Sequence, residues 1–406
     1  MCVDILLPPH DPIPPLATLK TEAYLAELTK DAPPESSWEV GGNCNFLIAA
    51  ARIGLRAECA GHVGDDAYGT FLERVLSEEG VPLRRLASPE AVAKAAKTMM
   101  QTLLCFVITD GAGGHAFCSR YDLGPWPLLA DVHDVDAAAA NALAKCKAVF
   151  VNGFVFDELK PSAVIAALGL AKSNGASVFF DPGPRAFTFT REDDPERREA
   201  LEAILGATDV VLATVEEAAA LVKKNTGGGK VGGEDVEAAA GTLDPVMIAR
   251  ELFNRPGCTA QWVVIKAGAD GACIHTRRGD QVYVGSPKVD VRDTVGCGDA
   301  AAAAIVLGFL KISAKRQKLF DASSGKIAYL PNGTLAEMME ETLTLAAAIG
   351  AATATGTGAG RNVASADKVR ELLEECAVGD EGVSGVNPKA AMRAQRLMND
   401  TLRFGL

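Results

Sequence analysis

The stretch at residues 290–311 constrains the fold more than any other part of this chain, because two glycines there join a polar segment to a long apolar run. It reads Asp-Val-Arg-Asp-Thr-Val-Gly-Cys-Gly-Asp, and Ala300 to Leu310 follow without a charged residue. Glycine tolerates positive φ angles and has no Cβ, so Gly296 and Gly298 allow a tight turn that a ligand can approach closely. The order predicts a strand end, a turn and then a helix.

A turn of this kind at a helix start is typical of an anion site, since the first helical turn leaves backbone N–H groups unpaired at the positive end of the helix dipole. Asp299 stands at the mouth of the same predicted helix. A carboxylate there repels a bound phosphate unless it takes part in the chemistry. Asp299 is therefore either a helix cap, for which Asp is preferred, or a general base that takes a proton from a substrate hydroxyl beside a phosphoryl group.

Residues 293–299 resemble the second signature of the ribokinase (pfkB) family of carbohydrate and nucleoside kinases, which usually reads Asp-Thr-x-Gly-Ala-Gly-Asp. The resemblance implies that Asp299 is the catalytic base and that Gly296, Cys297 and Gly298 form the anion hole. Ala301 stands where the family usually has Phe, a difference that affects packing more than chemistry.

The same resemblance implies a fold and a division of the chain. The family has an α/β fold, in which a mostly parallel ribokinase-like sheet carries helices on both faces and a small β lid covers the substrate. We therefore expect a pfkB-type kinase domain at residues 1–375, with lid elements at 5–38 and 98–122. A helical C-terminal tail is expected at 376–406.

The hydrophobic pattern favours this fold, because apolar runs typical of strands alternate with helical stretches, as in a parallel sheet covered by helices. The strand-like runs lie at 148–151, 177–180, 209–212 and 261–265. Three charged or Gly-rich stretches predict solvated loops. They lie at 191–198, 224–244 and 311–332.

The N-terminal part resembles the acceptor-binding half of the family. Asp4 matches an Asp that contacts substrate hydroxyls, although the Gly that usually precedes it is absent. Gly41 and Gly42 begin a segment that resembles the substrate motif Gly-Gly-x-x-x-Asn, one residue shorter before Asn45. An ordinary strand-to-helix turn has the same composition. The resemblance implies that Asp4, Gly41, Gly42 and Asn45 bind the acceptor.

The C-terminal half resembles the nucleotide side. Thr214 and Glu217 match an Asn-x-x-Glu motif whose Glu helps to position magnesium and phosphate, with Thr in place of Asn. A Thr and a Glu three residues apart also form a capping box at a helix start. Lys266 precedes a Gly-x-x-Gly turn that lies along the nucleotide in the family. The implied nucleotide-binding residues are Thr214, Glu217, Lys266, Gly268, Gly271 and Gly358.

The resemblance also implies ATP and Mg²⁺ as cofactors and, more weakly, K⁺. Glu217 is expected near magnesium. Asp293 and the glycine-rich segment at 350–360 are expected near a monovalent cation. The five histidines lie far apart in sequence without metal-ligand spacing, so they are expected to be surface or packing residues.

Composition limits the partners and the compartment. The net charge of −12 argues against nucleic acid and anionic membranes, both of which need clustered Lys and Arg. Residues 342–360 have the length of a membrane span, but their Thr and Gly content makes them a poor one. Scattered cysteines predict a reducing, cytoplasmic location. An organelle stays open, because the absent Gly before Asp4 is also explained by a truncated or alternative start.

These observations predict an ATP-dependent kinase that transfers the γ-phosphoryl group to a hydroxymethyl group of a sugar or nucleoside. The alternative is a catalytically silent pfkB-like structural or scaffolding protein. A nucleotide-dependent oxidoreductase lacks support, because no Gly-x-Gly-x-x-Gly follows the first strand. The lid surface is predicted either to close over a small-molecule acceptor or to form a homodimer contact, since a second subunit can cover open sheet edges.

Overall fold

A computed structural model of the protein describes residues 1–94, 101–110, 115–123, 135–191, 194–222, 244–321, 332–379 and 385–405. The strands in these ranges are β1 (Cys2–Leu6), β2 (Trp38–Gly41), β3 (Cys59–Gly61), β4 (Leu83–Arg85), β5 (Leu104–Thr109), β6 (His115–Ser119), β7 (Ala148–Asn152), β8 (Ser177–Asp181), β9 (Val210–Thr214), β10 (Trp262–Lys266), β11 (Ala272–Thr276) and β12 (Gln281–Val284).

The helices alternate with these strands in the second half of the chain. They are α1 (Leu16–Leu19), α2 (Glu22–Leu28), α3 (Asn43–Arg52), α4 (Ala67–Glu78), α5 (Pro89–Lys94), α6 (Ala137–Lys145), α7 (Val155–Glu158), α8 (Pro161–Ser173), α9 (Ala186–Phe189), α10 (Pro195–Ala207), α11 (Val215–Val222), α12 (Pro245–Asn254), α13 (Cys297–Asp321), α14 (Asn332–Ala354), α15 (Ala366–Val378) and α16 (Pro388–Phe404).

The main sheet has six strands in the order β12-β11-β10-β9-β8-β7. Strands β7 to β10 are parallel, and β11 and β12 form an antiparallel edge. The four parallel strands are those that the apolar runs predict, each within two residues of the expected bounds. Their carboxyl ends therefore lie at one edge of the sheet, where open α/β sheets bind ligands.

Both faces of this sheet are covered, because successive side chains of a strand point to opposite sides. One face packs against α13 and α14 and includes Phe179, Leu212 and Val264. The other face packs against α8, α10, α11 and α12 and includes Phe180 and Val211. The same alternation holds for the residues at the strand ends. A residue two positions after Phe179 therefore points toward α13.

A second sheet has four strands in the order β2-β1-β5-β6. Strand β1 is antiparallel to β2 and parallel to β5, while β6 is antiparallel to β5. These strands fall within or beside the ranges predicted for the lid, and β2 and β6 are its two edges. Within the predicted lid range 98–122, residues 98–100 and 111–114 lie outside the described residues, and these include the turn predicted at 110–114 except for Asp110. Strands β3 and β4 form a separate parallel pair.

Two loop predictions are wrong where the structure describes them. Residues 195–198 begin α10, because Asp194 caps it through a hydrogen bond from the Arg197 N–H (3.0 Å) and Pro195 stands in its first turn. Residues 311–321 continue α13, whose Ile312 is buried against the core. The third predicted loop lies outside the described residues except for Asp244, which caps α12.

The C-terminal helices belong to the same core as the preceding residues. Residue 375 lies inside α15, so the expected boundary between domain and tail divides a helix. Helix α16 buries Ala391, Ala394 and Met398 in the cluster that also holds α13 and α14. Burial of this apolar stripe makes α16 a structural part of the domain.

Helix α13 is long and apolar enough to cross a membrane over Cys297–Gln317, judged by length and composition. Its residues Ala303, Ile305 and Leu307 are, however, buried against the rest of the chain. This burial is the behaviour of a core helix. The first turn of α13 ends at the carboxyl edge of the main sheet and carries the residues predicted to be catalytic.

Candidate active site

A row of polar side chains ends the four parallel strands. The row consists of Asn152 in β7, Asp181 in β8, Thr214 in β9 and Lys266 in β10. Asn152 is in register with Asp181, and Thr214 is in register with Lys266. By the alternation of each strand, all four point to the α13 face of the sheet. The row therefore meets the first turn of α13.

Asp299 lies in this first turn and is joined to the predicted acceptor residue Asn45 of α3. The Asn45 amide donates from Nδ2 to Asp299 Oδ2 at 3.2 Å, and Asn45 Oδ1 accepts the Gly360 N–H at 2.8 Å. Gly296, not Asp299, immediately precedes the helix, and no backbone N–H of the described residues donates to the Asp299 carboxylate. The geometry thus favours the general base over the helix cap.

The electrostatics of Asp299 suit a base. Its pKa is raised to about 6, chiefly by burial and then by the nearby charge of Asp181, while the hydrogen bond from Asn45 and the charge of Lys266 oppose the rise. A carboxylate with this pKa is ionised at neutral pH and is more basic than an ordinary Asp. It can therefore accept a proton from a hydroxyl that lies beside it.

The predicted anion hole is built by a glycine with a positive φ angle and by the start of α13. Gly296 has φ +76°, and a Cβ there would lie 2.9 Å from the Ala359 Cβ and 3.3 Å from Asn45 Cγ. The Cys297 N–H donates to the Thr294 carbonyl at 3.3 Å, so it is already engaged. The N–H groups of Gly298 and Asp299 have no acceptor within the described part of the chain. These two N–H groups are the donors that an anion would meet.

Lys266 supplies a cation beside these donors. Its Nζ lies 2.6 Å from Asp181 Oδ2, and a Cβ on Gly298 would lie 3.4 Å from the same Nζ. Burial acts to lower the Lys266 pKa, but the charges of Asp181 and Glu217 outweigh it, so the net effect is a raised pKa. The ammonium is therefore charged and faces the first turn of α13.

Thr214 and Glu217 form the capping box that their spacing predicts. The Thr214 N–H donates to Glu217 Oε2 at 2.8 Å, and the Glu217 N–H donates to Thr214 Oγ1 at 3.2 Å. Burial and the Asp181 charge raise the Glu217 pKa, and Lys266 opposes the rise. The cap and the site are compatible, because the capped carboxylate still interacts with Asp181 and Lys266.

Asp4 is buried in β1 and touches the predicted substrate glycine. A Cβ on Gly41 would lie 2.0 Å from Asp4 Oδ1, so only glycine fits opposite this carboxylate. The Asp4 pKa is raised to about 7, chiefly by burial; a hydrogen bond from the Cys2 thiol (3.2 Å) opposes the rise, and the charges of Glu39 and Asp299 contribute to it. Asp4 and Asp299, from opposite ends of the sequence, thus interact electrostatically.

The conformation of Gly42 determines where α3 starts and therefore where the Asn45 side chain lies. Gly42 has φ +60° and directly precedes α3, so the chain reverses there and the helix starts at Asn43. Asn45 then falls in the first turn of α3 and faces Asp299. The shorter spacing in this chain still delivers the Asn side chain to the base.

Asp293 binds backbone rather than solvent. Its Oδ1 accepts the Val295 N–H at 2.9 Å, and its Oδ2 accepts the Gly358 N–H at 2.7 Å. Gly358 has φ +75°, which turns the chain toward this carboxylate. The residues that the structure describes hold no cluster of three or more His, Cys, Asp or Glu suited to a metal.

Gly268 and Gly271 form the turn between β10 and β11. The Ala267 N–H donates to the Gly271 carbonyl at 2.8 Å, and a Cβ on Gly271 would lie 2.0 Å from the Val284 carbonyl oxygen. Local packing therefore requires glycine at 271 whatever else the turn does. The turn follows Lys266 directly and lies at the edge of the site.

Sequence reasoning missed three residues around the site, Asn152, Glu39 and Arg361. Asn152 ends strand β7, and the strand-end rule applied to this apolar run would have found it. Glu39 of β2, which is buried, and Arg361, which is exposed, form an ion pair (3.1 Å) that ties the four-stranded sheet to the Gly358–Gly360 turn. This pair has no local sequence signal, because its members are 322 positions apart.

A model of the pfkB family of carbohydrate kinases matches residues 20–366. The chain belongs to this family. The family membership, the enzyme class and the fold that residues 293–299 predicted are therefore confirmed. The row at the strand ends and the first turn of α13 are accordingly the candidate active site of a sugar kinase.

Two relatives and one solved structure are similar to this chain. The chain is 26% identical over 278 residues to a 5-dehydro-2-deoxygluconokinase of Shouchella clausii, covering 67% of this chain and 74% of that protein. It is 27% identical over 288 residues to an ATP-dependent ribose-1-phosphate kinase of Halopiger xanaduensis, covering 70% and 79%. A putative ribokinase II from E. coli, in complex with ATP and Mg²⁺, has a TM-score of 0.58 at 21% identity and covers 92% and 96%.

Proposed function

We propose that this kinase transfers the γ-phosphoryl group of ATP to a hydroxymethyl group of a sugar or nucleoside, with Asp299 as the general base. The observation that carries the proposal is the Asp299 carboxylate, oriented by Asn45 at 3.2 Å, beside the two unpaired N–H groups of Gly298 and Asp299. The names of the relatives support phosphoryl transfer to a small sugar derivative.

The reaction divides between the two sides of the first turn of α13. Asp299 takes the hydroxyl proton, the hydroxyl oxygen forms a bond to the γ-phosphorus, and the bond from that phosphorus to the β–γ bridging oxygen breaks to release ADP. The N–H groups of Gly298 and Asp299 and the Lys266 ammonium stabilise the negative charge on the transferred group. Asn45 orients the base.

The residues present fit magnesium and an anion. Glu217 offers the hard carboxylate oxygen that Mg²⁺ prefers, and Asp181 adds negative charge beside it. Bound magnesium supplies charge neutralisation on the phosphates. We assign Glu217 to the magnesium side, directly or through water. Asp293, which fixes the Gly358 turn through its two hydrogen bonds, is assigned to the side of a monovalent cation.

Acceptor recognition is assigned to Asp4, Gly41, Gly42 and Asn45. Asp4 is 5% exposed, and Gly41 leaves room for its carboxylate. A carboxylate at this depth with an elevated pKa gains from hydroxyl donors, which stabilise its charged form. A polyol held by Asp4 and Asn45 would place one of its hydroxyls next to Asp299.

The test is a screen with an acceptor panel of D-ribose, D-fructose, adenosine, inosine, pseudouridine, 5-dehydro-2-deoxygluconate and ribose 1-phosphate. ADP release is measured with ATP and Mg²⁺, and the product is identified by ³¹P NMR. At least one compound should raise ADP release well above the rate of an Asp299→Asn control. If the wild-type protein and this control match on every compound and no phosphate ester forms, the silent scaffold is the better account.

A further inference from the structure

Asn152 carries a polar group that the fold itself leaves unused. The residue ends β7 and is 6% exposed, and its Oδ1 is buried without a hydrogen-bond partner among the described residues. Buried side-chain oxygens in folded proteins nearly always accept a hydrogen bond, and one without a donor is destabilising. We therefore expect a bound molecule to supply a hydrogen-bond donor to this unpaired amide oxygen at the strand end.

The position of Asn152 places it at the candidate active site. Its register partner in β8 is Asp181, the ion-pair partner of Lys266. Two residues earlier on the same strand face, the Phe150 ring stacks on Phe46 of α3 with centroids 4.0 Å apart and an interplanar angle of 9°. Phe46 directly follows Asn45, so the Asn152 amide lies on the face of β7 that meets the base and its orienting amide.

The described neighbours of this amide do not satisfy its oxygen. Asp181 and Asp299 are both ionisable acids near the row, and a carboxylate has no proton to give to an amide oxygen. Lys266 has a hydrogen to give, but its ammonium is bound to Asp181 at 2.6 Å. None of these three side chains donates to Asn152 Oδ1, and a polyol acceptor would bring several neutral O–H groups that can do so.

We propose that Asn152 is a specificity-determining residue of the acceptor site, whose Oδ1 accepts a hydrogen bond from an acceptor hydroxyl other than the one phosphorylated. This inference rests on the proposed function. It assigns Asn152 to binding, since Asp299 and the N–H groups of α13 already supply the chemistry. It also explains why a polar residue ends a strand whose Ala148–Val151 segment is apolar.

The test uses Asn152→Leu, which keeps the size of the side chain and removes the amide. Without ligand the variant should melt at a higher temperature than the wild type, because the unpaired buried oxygen is gone. Its kcat/KM for the best compound of the acceptor panel should fall about tenfold, the effect of one lost hydrogen bond. The KM for ATP should stay within about twofold of the wild-type value.

Thr344 provides a matched control. Its Oγ1 is also buried without a partner in the described ranges, but it lies in the middle of α14, six positions before Gly350. Thr344→Val should raise the melting temperature in the same way and leave kcat/KM for the acceptor unchanged. The contrast separates the loss of an unpaired oxygen from the loss of a ligand contact.

A second measurement tests the contact between Asn152 and the acceptor hydroxyl in a protein that does not transfer the phosphoryl group. In the Asp299→Asn background, binding of adenosine and 3′-deoxyadenosine, and of D-ribose and 2-deoxy-D-ribose, is measured by calorimetry with and without Asn152→Leu. The background alone should prefer one hydroxylated member of a pair, and Asn152→Leu should abolish that preference. Retained preference, no binding of any of the four compounds, or a lower melting temperature for the single variant would overturn the assignment. An inactive wild type that still binds overturns only the kinase proposal.

Discussion

Asn45 and Asp299 are 254 positions apart in the chain, and a hydrogen bond of 3.2 Å from the Asn45 amide to the Asp299 carboxylate joins them. Each lies in the first turn of its helix, α3 or α13. Because two helix starts meet at this bond, the residues proposed to bind the acceptor and those proposed to bind the phosphates share one point. The Gly360 N–H, bound to Asn45 Oδ1, holds the amide in the donating orientation.

Asp299→Asn should abolish most of the turnover and preserve the fold. Loss of a general base typically costs about 10²–10⁴-fold in kcat, or roughly 3–5 kcal/mol of barrier. The amide removes a buried negative charge that Asp181 disfavours, so the melting temperature at pH 8 should be unchanged or higher. Turnover is followed by ADP release, and ATP binding by calorimetry. A variant that melts early and turns over normally would identify Asp299 as a structural residue.

The pH dependence follows from the raised pKa values of Asp299, to about 6, and Asp4, to about 7. Asp299 must be ionised to act, so kcat/KM should rise with pH through about 6. The free energy of unfolding should change with pH in the opposite direction. The native state holds these protons at pH values where the unfolded state has released them, so unfolding free energy falls as pH rises from about 4 to 7.

The Asp299→Asn variant tests the origin of this pH effect. Its melting temperature should exceed that of the wild type by a margin that grows as pH rises from 4 to 6 and then stays constant, because the variant has no charge to bury at this position. Asp4→Asn is the matched variant, with the same trend extended to about pH 7. Parallel melting curves for all three proteins between pH 4 and 8 would show that these pKa values are not elevated.

Metal removal should stop the reaction. Glu217 and Asp181 present carboxylates beside the predicted phosphate site, and phosphoryl transfer needs charge neutralisation by Mg²⁺. EDTA should reduce ADP release to the level of the Asp299→Asn control, and excess Mg²⁺ should restore it. Potassium should activate relative to a bulky organic cation. Equal rates with sodium, potassium and the organic cation would contradict the assignment of a monovalent-cation site at Asp293.

The sequence could predict the glycine turn and the parallel strands because each has a local cause, while the role of Asp299 as base stays a prediction. The positive φ angle of Gly296 is required by the start of α13 and by the closeness of Asn45, and the Gly-x-Gly pattern reports it directly. The four parallel strands are continuous apolar runs, as strands buried on both faces must be. Such features depend on residues that are adjacent in the sequence.

The pairings around Asp299 could not be predicted, because they depend on tertiary contacts between distant segments. The Asp181–Lys266 pair joins strand ends 85 positions apart, and the Glu39–Arg361 pair joins a strand of the second sheet to a late turn. The loop prediction also failed for a tertiary reason at residues 311–321, the part of the predicted range 311–332 that the structure describes ahead of α14. These residues lie on a helix whose Ile312 is buried in the core, so burial on one side outweighed the charged composition.

The Asp181–Lys266 pair yields a prediction in which stability and catalysis separate. Lys266→Met leaves the buried Asp181 carboxylate without its cation, and breaking a buried pair from one side typically costs about 3–5 kcal/mol of unfolding free energy. It also removes the ammonium that faces Gly298, so kcat should fall by about 10²–10³-fold, the typical effect of losing one charge-stabilising donor.

The double variant Lys266→Met with Asp181→Asn distinguishes the two effects. Because the uncompensated carboxylate is gone, most of the lost melting temperature should return, while kcat should stay low since the ammonium is still absent. Asp181→Asn alone should keep most of kcat and shift the acidic limb of the kcat/KM profile to lower pH, because the charge that raises the Asp299 pKa is removed. Chemical denaturation gives the unfolding free energies, and ADP release gives the rates. Recovery of both stability and turnover in the double variant would show that Lys266 only balances Asp181 and takes no part in phosphoryl transfer.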